Sequence, residues 1–511
     1  MRKLLALLFS AALALALLPG HVSSAQTEGA PPISGDGPPD EPGIDERPPR
    51  APGEGGSQAT PIKDHLRVSV LTFSPGDHPF YKFGHNAILI YDDSKRGKRD
   101  YAKVYNYGTF SFGDPALIPK FFLGRFQYWL SAQTLQGTIA GYKRENRAII
   151  EQELALDAQT KLELQRMLEE NLLPENRYYK YDYYRDNCAT RVRDMIDKAI
   201  GGRIKAVSSG PARLSYREHT LRLTESLPGE YVILNLVMGD LIDKPITEWD
   251  EGFIPMELQK TLRKVTVPGA DGKEISLVKN EKTILASHQT PPPENPPVWW
   301  PYALITGLIM GSGLAGLGRA AAKSGVARVG FGVVLSIFGL IAGFFGWFFL
   351  AAWAFTDHAV GYGNENVMLC VPWAIVLTGT GINVARGKAK SIHRAFAFVR
   401  AAAIAAVVAL ALKALPWFDQ SNMFFILFFL PLWAGAFVGL RFLEKRALMI
   451  DTPEAPKKKG DDKKAEPAEK AEKKAADKLE KVEKADKPKK KVEEKVDEQA
   501  EKESASEEAV S

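Results

Sequence analysis

The longest apolar runs in the chain lie in its C-terminal half and predict membrane-spanning helices. Each run is near the length that an α-helix needs to cross the hydrocarbon core of a bilayer. There are five candidate spans, at 298–318, 330–355, 367–385, 397–415 and 422–441. A shorter apolar run, from Leu4 to Leu18, follows Arg2 and Lys3 and is followed by small residues. This second pattern predicts a secretory signal peptide over residues 1–25.

Residues 65–267 show the two periodicities of a folded domain with an α+β core. Short segments rich in β-formers predict three strands, at 66–72, 86–91 and 103–108. Apolar residues at helical spacing predict one helix over 158–173 and another that begins near Cys188. Residues 268–297 contain a glycine-rich turn and a proline-rich run, which predict a hairpin followed by a stiff linker.

The remaining segments have compositions that do not support a packed core. Residues 26–64 are rich in proline, glycine and acidic residues, and residues 446–511 are mostly lysine, glutamate, alanine and aspartate. Both compositions predict disorder. The net charge of the chain is only +5, and no basic surface with interleaved aromatic residues is present. We therefore expect no nucleic-acid partner, and a cytoplasmic protein partner of the charged tail stays open.

The charges of the loops between the apolar runs predict the orientation of the chain. Lysine and arginine cluster after the first, third and fifth runs, whereas the loop at 356–366 has neither residue. By the positive-inside rule, the 65–267 domain lies outside the membrane and the tail lies in the cytoplasm. The signal peptide predicts the same orientation. The predicted segments are 1–25, 26–64, 65–267, 268–297, 298–445 and 446–511.

Cys188 is the best candidate for a catalytic nucleophile. It is one of only two cysteines, and it lies at the start of a predicted helix that Asp186 or Asn187 can cap. Free backbone N–H groups and the helix dipole favour a thiolate at that position. Cys370 lies inside a predicted span and cannot pair with Cys188, so the exported thiol is unpaired in an oxidising compartment. The alternative is a buried structural cysteine.

A thiol nucleophile needs a base, and His85 is the best candidate for that role. It follows Gly84 at the start of a buried strand. Asn106 lies on the next predicted strand, where an antiparallel neighbour could hold the imidazole in one tautomer. The alternative is a histidine satisfied in the core and an asparagine in a turn. No cysteine, histidine or acidic residues show metal-ligand spacing, so we expect no metal, and we expect no cofactor.

Several motifs, in this order, resemble the Lnb family of bacterial lipoprotein N-acyltransferases. They are LTFSPGD at 71–77, FGHNAI at 83–88, VYNYGTF at 104–110, NRYYKYD at 176–182 and DNCATR at 186–191. The resemblance implies a permuted, NlpC-type, papain-like periplasmic domain. It also implies that Cys188 accepts the acyl group and that His85 is its base. Phe73 departs from the family pattern, because relatives often carry a cysteine there.

The resemblance continues into the apolar half of the chain. Asp357 and His358, followed by Asn364, Glu365 and Asn366, are similar to the outer-loop histidine and Asn-x-Asn pattern of the family. The acidic residue between the two asparagines is a second departure from that pattern. We expect substrate binding by five residues: Asn187, Arg191, His358, Asn364 and Asn366.

Together the motifs and the spans predict a membrane-bound thiol acyltransferase. It would act at the bacterial inner membrane, with its catalytic domain in the periplasm and with membrane lipid and lipoproteins as substrates. A papain-like cysteine amidase or endopeptidase acting on peptidoglycan is the alternative, since the same chemistry would serve both. A non-enzymatic membrane scaffold is a third possibility, but it leaves the unpaired Cys188 and the His85 motif unexplained.

Overall fold

The computed structural model describes residues 64–95, 97, 99–110, 119–120, 123–125 and 127–451, without the side chains of 448–451. The predicted signal peptide, the linker through residue 63 and the tail beyond residue 451 lie outside these residues. The strands are β1 (Leu66–Phe73), β2 (His85–Asp92), β3 (Lys103–Thr109), β4 (Gln127–Thr134), β5 (Ile149–Leu154), β6 (Tyr178–Lys180), β7 (Thr266–Pro268), β8 (Glu274–Ser276) and β9 (Val278–Leu285).

Helices surround this sheet region and then form the apolar part. Those of the first part are α1 (Leu135–Arg144), α2 (Ala158–Leu172), α3 (Cys188–Ala199), α4 (Arg203–Val207), α5 (Tyr216–Thr224), α6 (Pro228–Val237), α7 (Glu248–Glu251) and α8 (Pro255–Leu262). Those of the second part are α9 (Trp300–Ala321), α10 (Gly325–Phe355), α11 (Val376–Ala385), α12 (Ala389–Leu412) and α13 (Met423–Asp451). Short 3₁₀ turns occur at Pro79–Tyr81, Asp240–Ile242, Ala359–Gly361, Glu365–Met368 and Pro372–Ile375.

The centre of the first part is an antiparallel sheet in the order β6-β4-β3-β2-β1-β5-β9. Side chains of β1 alternate between two buried cores: Val68 and Val70 face one, and Leu71 and Phe73 face the other. Alternation with a period of two is what a strand covered on both faces requires. The three strands predicted from the sequence are confirmed, and so is the mixed helix and sheet class.

Helix α3 packs against the middle of the sheet, on β2 and β3. Its apolar stripe includes Ala189, Val192 and Ile196, all of which are fully buried. The i, i+3, i+4 spacing that predicted this helix from the sequence is therefore the spacing of its contact with the sheet. Helix α2, also predicted, packs beside it.

The sheet extends past residue 267, where the sequence analysis placed the end of the domain. The predicted hairpin forms as β7 and β8, but β9 then pairs with β5 at the edge of the large sheet. Most of β9 is exposed and carries lysines and glutamates, the composition with which edge strands avoid pairing with other chains. Because β9 has few apolar residues, it lacks the alternation of apolar and polar residues that predicts a strand, and it was not predicted from the sequence.

Four helices are long and apolar enough to cross a membrane within the described residues: α9, α10, α12 and α13. The third predicted span, 367–385, is not a single long helix. It consists of 3₁₀ turns followed by α11, which has only 10 residues. Pro372 lacks an N–H group and disfavours helical backbone in the residue before it, so the segment is interrupted there.

The interrupted segment runs back along α10 in the opposite direction. A side chain on Gly346 of α10 would meet Cys370, whereas one on Gly332, farther back in α10, would meet Ala385. Non-helical backbone at this depth is tolerated where neighbouring protein covers it. The chain therefore returns to the end of the bundle at which α10 begins, as the predicted loop orientation requires.

Helices α9 and α13 approach each other closely because small residues face each other. A methyl group on Gly311 would overlap the backbone carbonyl of Pro431, and one on Gly435 would overlap the carbonyl of Gly311. Gly313 lies on the same helix with nothing within 4 Å of the position that its Cβ would take. Close packing of small residues is a common way for apolar helices to associate.

We predict that Gly311→Ala destabilises the apolar bundle, because α9 and α13 must separate to admit the methyl group. Overpacking of this kind costs about 1–3 kcal/mol, and thermal unfolding of the purified protein in detergent would measure it. Gly313→Ala is the matched control and should be neutral or slightly stabilising. Equal melting temperatures for the two variants would contradict the packing described here.

Candidate functional site

Cys188 is the first residue of α3, and its side chain is partly exposed. Of the two caps proposed from the sequence, Asn187 is the one observed. Its Oδ1 accepts hydrogen bonds from the N–H groups of Ala189 and Thr190, and the N–H of Asn187 donates one to the side-chain oxygen of Thr190, forming a capping box. The cap fixes the first turn of the helix and with it the position of the sulfur.

His85 is the first residue of β2, and Gly84 precedes it with φ +77°. His85 Nε2 lies 3.3 Å from Asn106 Oδ1. The amide nitrogen of Asn106 donates to the carbonyl of Val104, which leaves its oxygen directed at the imidazole. The neutral imidazole therefore carries its proton on Nε2 and presents Nδ1 as the basic nitrogen.

The packing of α3 on β2 and β3 brings Cys188 to these two residues. The backbone N–H of Asn86, the neighbour of His85, interacts with the sulfur of Cys188. On β3, a Cβ placed on Gly108 would lie 3.5 Å from Cys188 Cβ. Cys188 thus lies at the end of the sheet that carries His85 and Asn106, which are hydrogen-bonded to each other.

The pKa shifts show that the thiol and the imidazole are both neutral at neutral pH. Burial raises the pKa of the Cys188 thiol, and the backbone N–H groups of Asn86 and Ala189 oppose that shift. Burial lowers the pKa of His85 to about 4; the charge of Arg147 adds to this effect, and the bond to Asn106 opposes it. The site therefore suits a neutral base that takes the thiol proton during attack, rather than a preformed ion pair.

Arg147 is part of this site and was not found from the sequence. It is almost fully buried, its Nε donates to the carbonyl of Ser74, and its guanidinium lies 4.8 Å from the ring centre of Tyr81 and 4.6 Å from that of Tyr142. Its positive charge lowers the pKa of both Cys188 and His85. No local pattern marks it, because it reaches the site from a loop before β5.

Asn187 and Arg191, expected to bind substrate, have structural partners. The amide nitrogen of Asn187 donates to the carbonyls of Tyr183 and Phe253, so both ends of its side chain are engaged. Arg191 forms a two-point ion pair with Asp186, with 2.6 Å between Nη2 and Oδ2. Their hydrogen bonds hold the loop before α3 and do not point to a ligand.

Asn364 and Asn366 are fully buried where the apolar part meets the sheet domain. The amide nitrogens of both donate to the carbonyl of Leu236. Between them, Glu365 pairs with Lys413 at the end of α12 and accepts a hydrogen bond from the N–H of Gln420. This group, Asn364, Glu365, Asn366, Lys413 and Gln420, is the clasp that joins the two parts.

His358 lies in the loop after α10, half-buried beside the sheet domain. Its ring stacks on that of Tyr183 with centres 6.2 Å apart. The neighbouring Asp357 pairs with Lys180 at 3.0 Å and Arg125 at 3.3 Å. Three residues of the outer loop were expected to bind substrate: His358, Asn364 and Asn366. Only His358 of these three lines a cavity, because both asparagines are fully buried.

The cavity has a volume of about 230 Å³ and lies between the sheet domain and the loop after α10. Lys180, Asp357 and His358 line one side of it, and Tyr128 and Tyr181 line another. The last two rings are stacked with centres 4.1 Å apart. The pKa of each is raised by burial and also by the charge of Cys188. Cys188 itself does not line the cavity.

One group of possible metal ligands occurs within the described residues. A ligand atom of each of His65, Asp92 and Asp93 lies within 4.8 Å of the others. Asp93 is paired with Arg67, and Asp92 accepts hydrogen bonds from Ser94. The sequence analysis did not find this group. Its carboxylates already have protein partners, and it lies at the far end of β2 from His85.

The comparisons with known proteins identify the domain that contains this site. Residues 58–224 match the family model of the Lnb N-terminal periplasmic domain, a range that includes His85, Asn106 and Cys188. This match confirms the resemblance to the Lnb family. Neither the curated proteins nor the solved structures give a significant match to the chain.

We predict that alkylation of Cys188 by iodoacetamide rises about tenfold per pH unit from pH 5 to pH 9, because the raised pKa keeps the thiol protonated. Mass spectrometry of the Cys188 peptide measures the rate. Asn106→Asp places a carboxylate beside His85, which favours the imidazolium and should raise reactivity between pH 5 and 7. A plateau over that range in the unaltered protein would contradict the neutral pair.

Proposed function

The chain carries the N-terminal periplasmic domain of the Lnb family, and we propose that it is a membrane-bound thiol acyltransferase that N-acylates bacterial lipoproteins. The observation that carries the proposal is the position of Cys188. The thiol lies at the start of α3, within reach of the backbone N–H of Asn86, the residue after His85, in a domain that a buried clasp fixes to helices apolar enough to cross a membrane. A diacyl substrate in the outer leaflet would be presented to such a site.

In the first half of the reaction, His85 Nδ1 takes the thiol proton as the sulfur attacks an ester carbonyl of the lipid donor. The ester C–O bond breaks, His85 returns the proton to the leaving alkoxide, and a thioester remains on Cys188. In the second half, the free amino terminus of a lipoprotein attacks that thioester. The new amide forms, the amine proton passes through His85 to the thiolate, and the free enzyme is restored.

The fold that we infer for this chemistry is a permuted, papain-like one. Along the chain the strand that begins with His85 precedes the helix that begins with Cys188. In papain-like enzymes the order is reversed. The contact of α3 with the central strands of an antiparallel sheet is the arrangement that such a fold needs.

The cavity beside His358 supports a lipid donor. It lies between the catalytic domain and the loop after α10, so a lipid at the outer surface of the bilayer would reach it without leaving the membrane. Lys180 and Arg125 supply positive charge at its rim, where a phosphate would be attracted. We infer that His358 helps to hold the headgroup while the acyl ester reaches past Tyr128 to Cys188.

A papain-like amidase or endopeptidase acting on peptidoglycan is the second candidate. The partly exposed thiol and the polar rim of the cavity are compatible with a soluble glycopeptide. However, such an enzyme would need only a tether to the membrane. The clasp fixes the domain to the helices through buried polar bonds, which favours a substrate that comes from the bilayer.

We predict that Cys188→Ser lowers lipoprotein N-acylation by about 10³-fold or more, because serine is a weaker nucleophile without stronger activation by a base. His85→Ala should lower it by about 10²–10⁴-fold. The measurement is the fraction of lipoproteins with a blocked amino terminus, determined by mass spectrometry in cells that lack their own N-acylating enzyme.

Cys370→Ser is the matched control for this experiment, because it makes the same replacement in the buried cysteine of the apolar part. It should leave N-acylation close to normal once the amounts of protein in the membrane are equalised. Full N-acylation by stable Cys188→Ser protein would contradict the acyl-enzyme mechanism. Altered muropeptides with unchanged lipoproteins would instead favour the peptidoglycan enzyme.

We also propose that the protein lies in the bacterial inner membrane with its tail in the cytoplasm, as the loop charges predict. Alkaline phosphatase, which is active only in the periplasm, should be inactive when fused after Ser511. A fusion truncated after Gln289, before the first apolar helix, should be active and serves as the control. Activity of the Ser511 fusion would contradict this orientation.

A further inference from the structure

The side chain of Tyr179 ends in a hydroxyl group that has no hydrogen-bond partner among the described residues. Tyr179 lies on β6 and is more than nine-tenths buried. An unpartnered hydroxyl in the interior costs free energy, because burial removes its hydrogen bonds to water. Such a group is expected where a ligand or a reaction intermediate supplies the missing partner.

Cys188 and the Tyr179 hydroxyl both lie close to Gly108. Gly108 on β3 has φ +90°, and the pairing of β3 with β4 is irregular between Asn106 and Thr109. A Cβ placed on Gly108 would lie 3.5 Å from Cys188 Cβ and 3.9 Å from the Tyr179 hydroxyl oxygen. Because Gly108 has no side chain, a space of about one methyl group lies between Cys188 Cβ and the Tyr179 hydroxyl.

The charges around Tyr179 keep its hydroxyl protonated and polarised. The guanidinium of Arg191 lies 4.2 Å from the centre of the Tyr179 ring. Burial raises the pKa of Tyr179, and negative charge on Cys188, Asp186 and Tyr128 adds to the shift, whereas Arg191 lowers it. The neutral hydroxyl is thus a hydrogen-bond donor, and Cys188 is close enough to act on it electrostatically.

Thioester formation needs such a donor. As the sulfur bonds to the ester carbonyl carbon, the π pair of the C=O bond moves onto oxygen, and the resulting oxyanion must be stabilised until the C–O bond to the leaving alcohol breaks. The N–H of Cys188, at the start of α3, can supply one donor. The Asn187 side chain accepts from Ala189 and Thr190 and leaves that first N–H for another acceptor.

We propose that Tyr179 is a catalytic residue whose hydroxyl donates a hydrogen bond to the oxyanion formed when Cys188 attacks an acyl carbonyl, in the space beside Gly108. The proposal rests on the acyl-transfer function proposed above. No proton leaves Tyr179 in this step, so the hydroxyl acts again when the amine attacks the thioester.

The test compares two reagents on the full-length protein in detergent. A p-nitrophenyl ester acylates Cys188 through an oxyanion, whereas iodoacetamide alkylates it by displacement at a saturated carbon and forms none. Tyr179→Phe keeps the ring over Arg191 and removes only the hydroxyl. We expect acylation of Cys188 to slow by about 10²-fold or more, with the rate of alkylation unchanged.

Tyr107→Phe is the matched control. The Tyr107 hydroxyl is also buried without a hydrogen-bond partner among the described residues, and its pKa is raised by burial and Asp186 and lowered by Arg191, with no contribution from Cys188. Its loss should leave both rates unchanged. If Tyr179→Phe and Tyr107→Phe slow acylation equally, the assignment to Tyr179 is wrong.

Three other results would overturn the proposal. Unchanged acylation in Tyr179→Phe would show that the hydroxyl does not serve the intermediate. Parallel loss of acylation and alkylation would show that it only maintains the structure around the thiol. Unaltered protein that is alkylated at Cys188 but never acylated would overturn the acyl-transfer function itself, and the role of Tyr179 with it.

Discussion

The contact of helix α3 with strands β2 and β3 is the constraint on which the site depends. It buries Ala189, Val192 and Ile196 against the centre of the sheet. This packing fixes the point along β2 and β3 at which the helix begins. Because Asn187 caps the helix and Cys188 is its first residue, the sulfur lies at the end of the sheet where β2 begins, within reach of the backbone N–H of Asn86. Apolar packing thus brings Cys188 and the start of β2, which are distant along the chain, to the same end of the sheet.

A second constraint, the clasp, relates this site to the apolar helices. Glu365 and Lys413 are an ion pair in a largely buried position, where leaving one charge unpaired would cost about 3–5 kcal/mol. The bonds of Asn364 and Asn366 to Leu236 add directional contacts that an apolar interface lacks. A fixed domain orientation would serve the proposed acyl transfer, because a lipid ester in a bilayer must reach Cys188 at a set distance from the membrane surface.

Local patterns were enough to predict the central strands, helix α2, the four long apolar helices and the start of helix α3, but not the interruption of the third predicted span. Each depends on the spacing of apolar side chains or on the chemistry of one cap, and both are properties of a few consecutive residues. Cys188, His85 and Asn106 were candidates for the same reason, since an unpaired exported thiol and two polar residues at strand positions are visible in the sequence.

The sequence by itself thus determined which elements form and which residue types could react, whereas the tertiary structure decided which side chains meet. Arg147 lies near the site although no local pattern marks it, and Tyr179 lies in a quoted motif that by itself gave no reason to place its hydroxyl near Cys188. Asn364 and Asn366, expected to bind substrate because they resemble the Asn-x-Asn pattern of the family, donate hydrogen bonds to the carbonyl of Leu236. Burial and the unpartnered state of a hydroxyl arise only when strands distant in the chain pair, because a side chain's partners are set by that pairing and not by its neighbours in sequence.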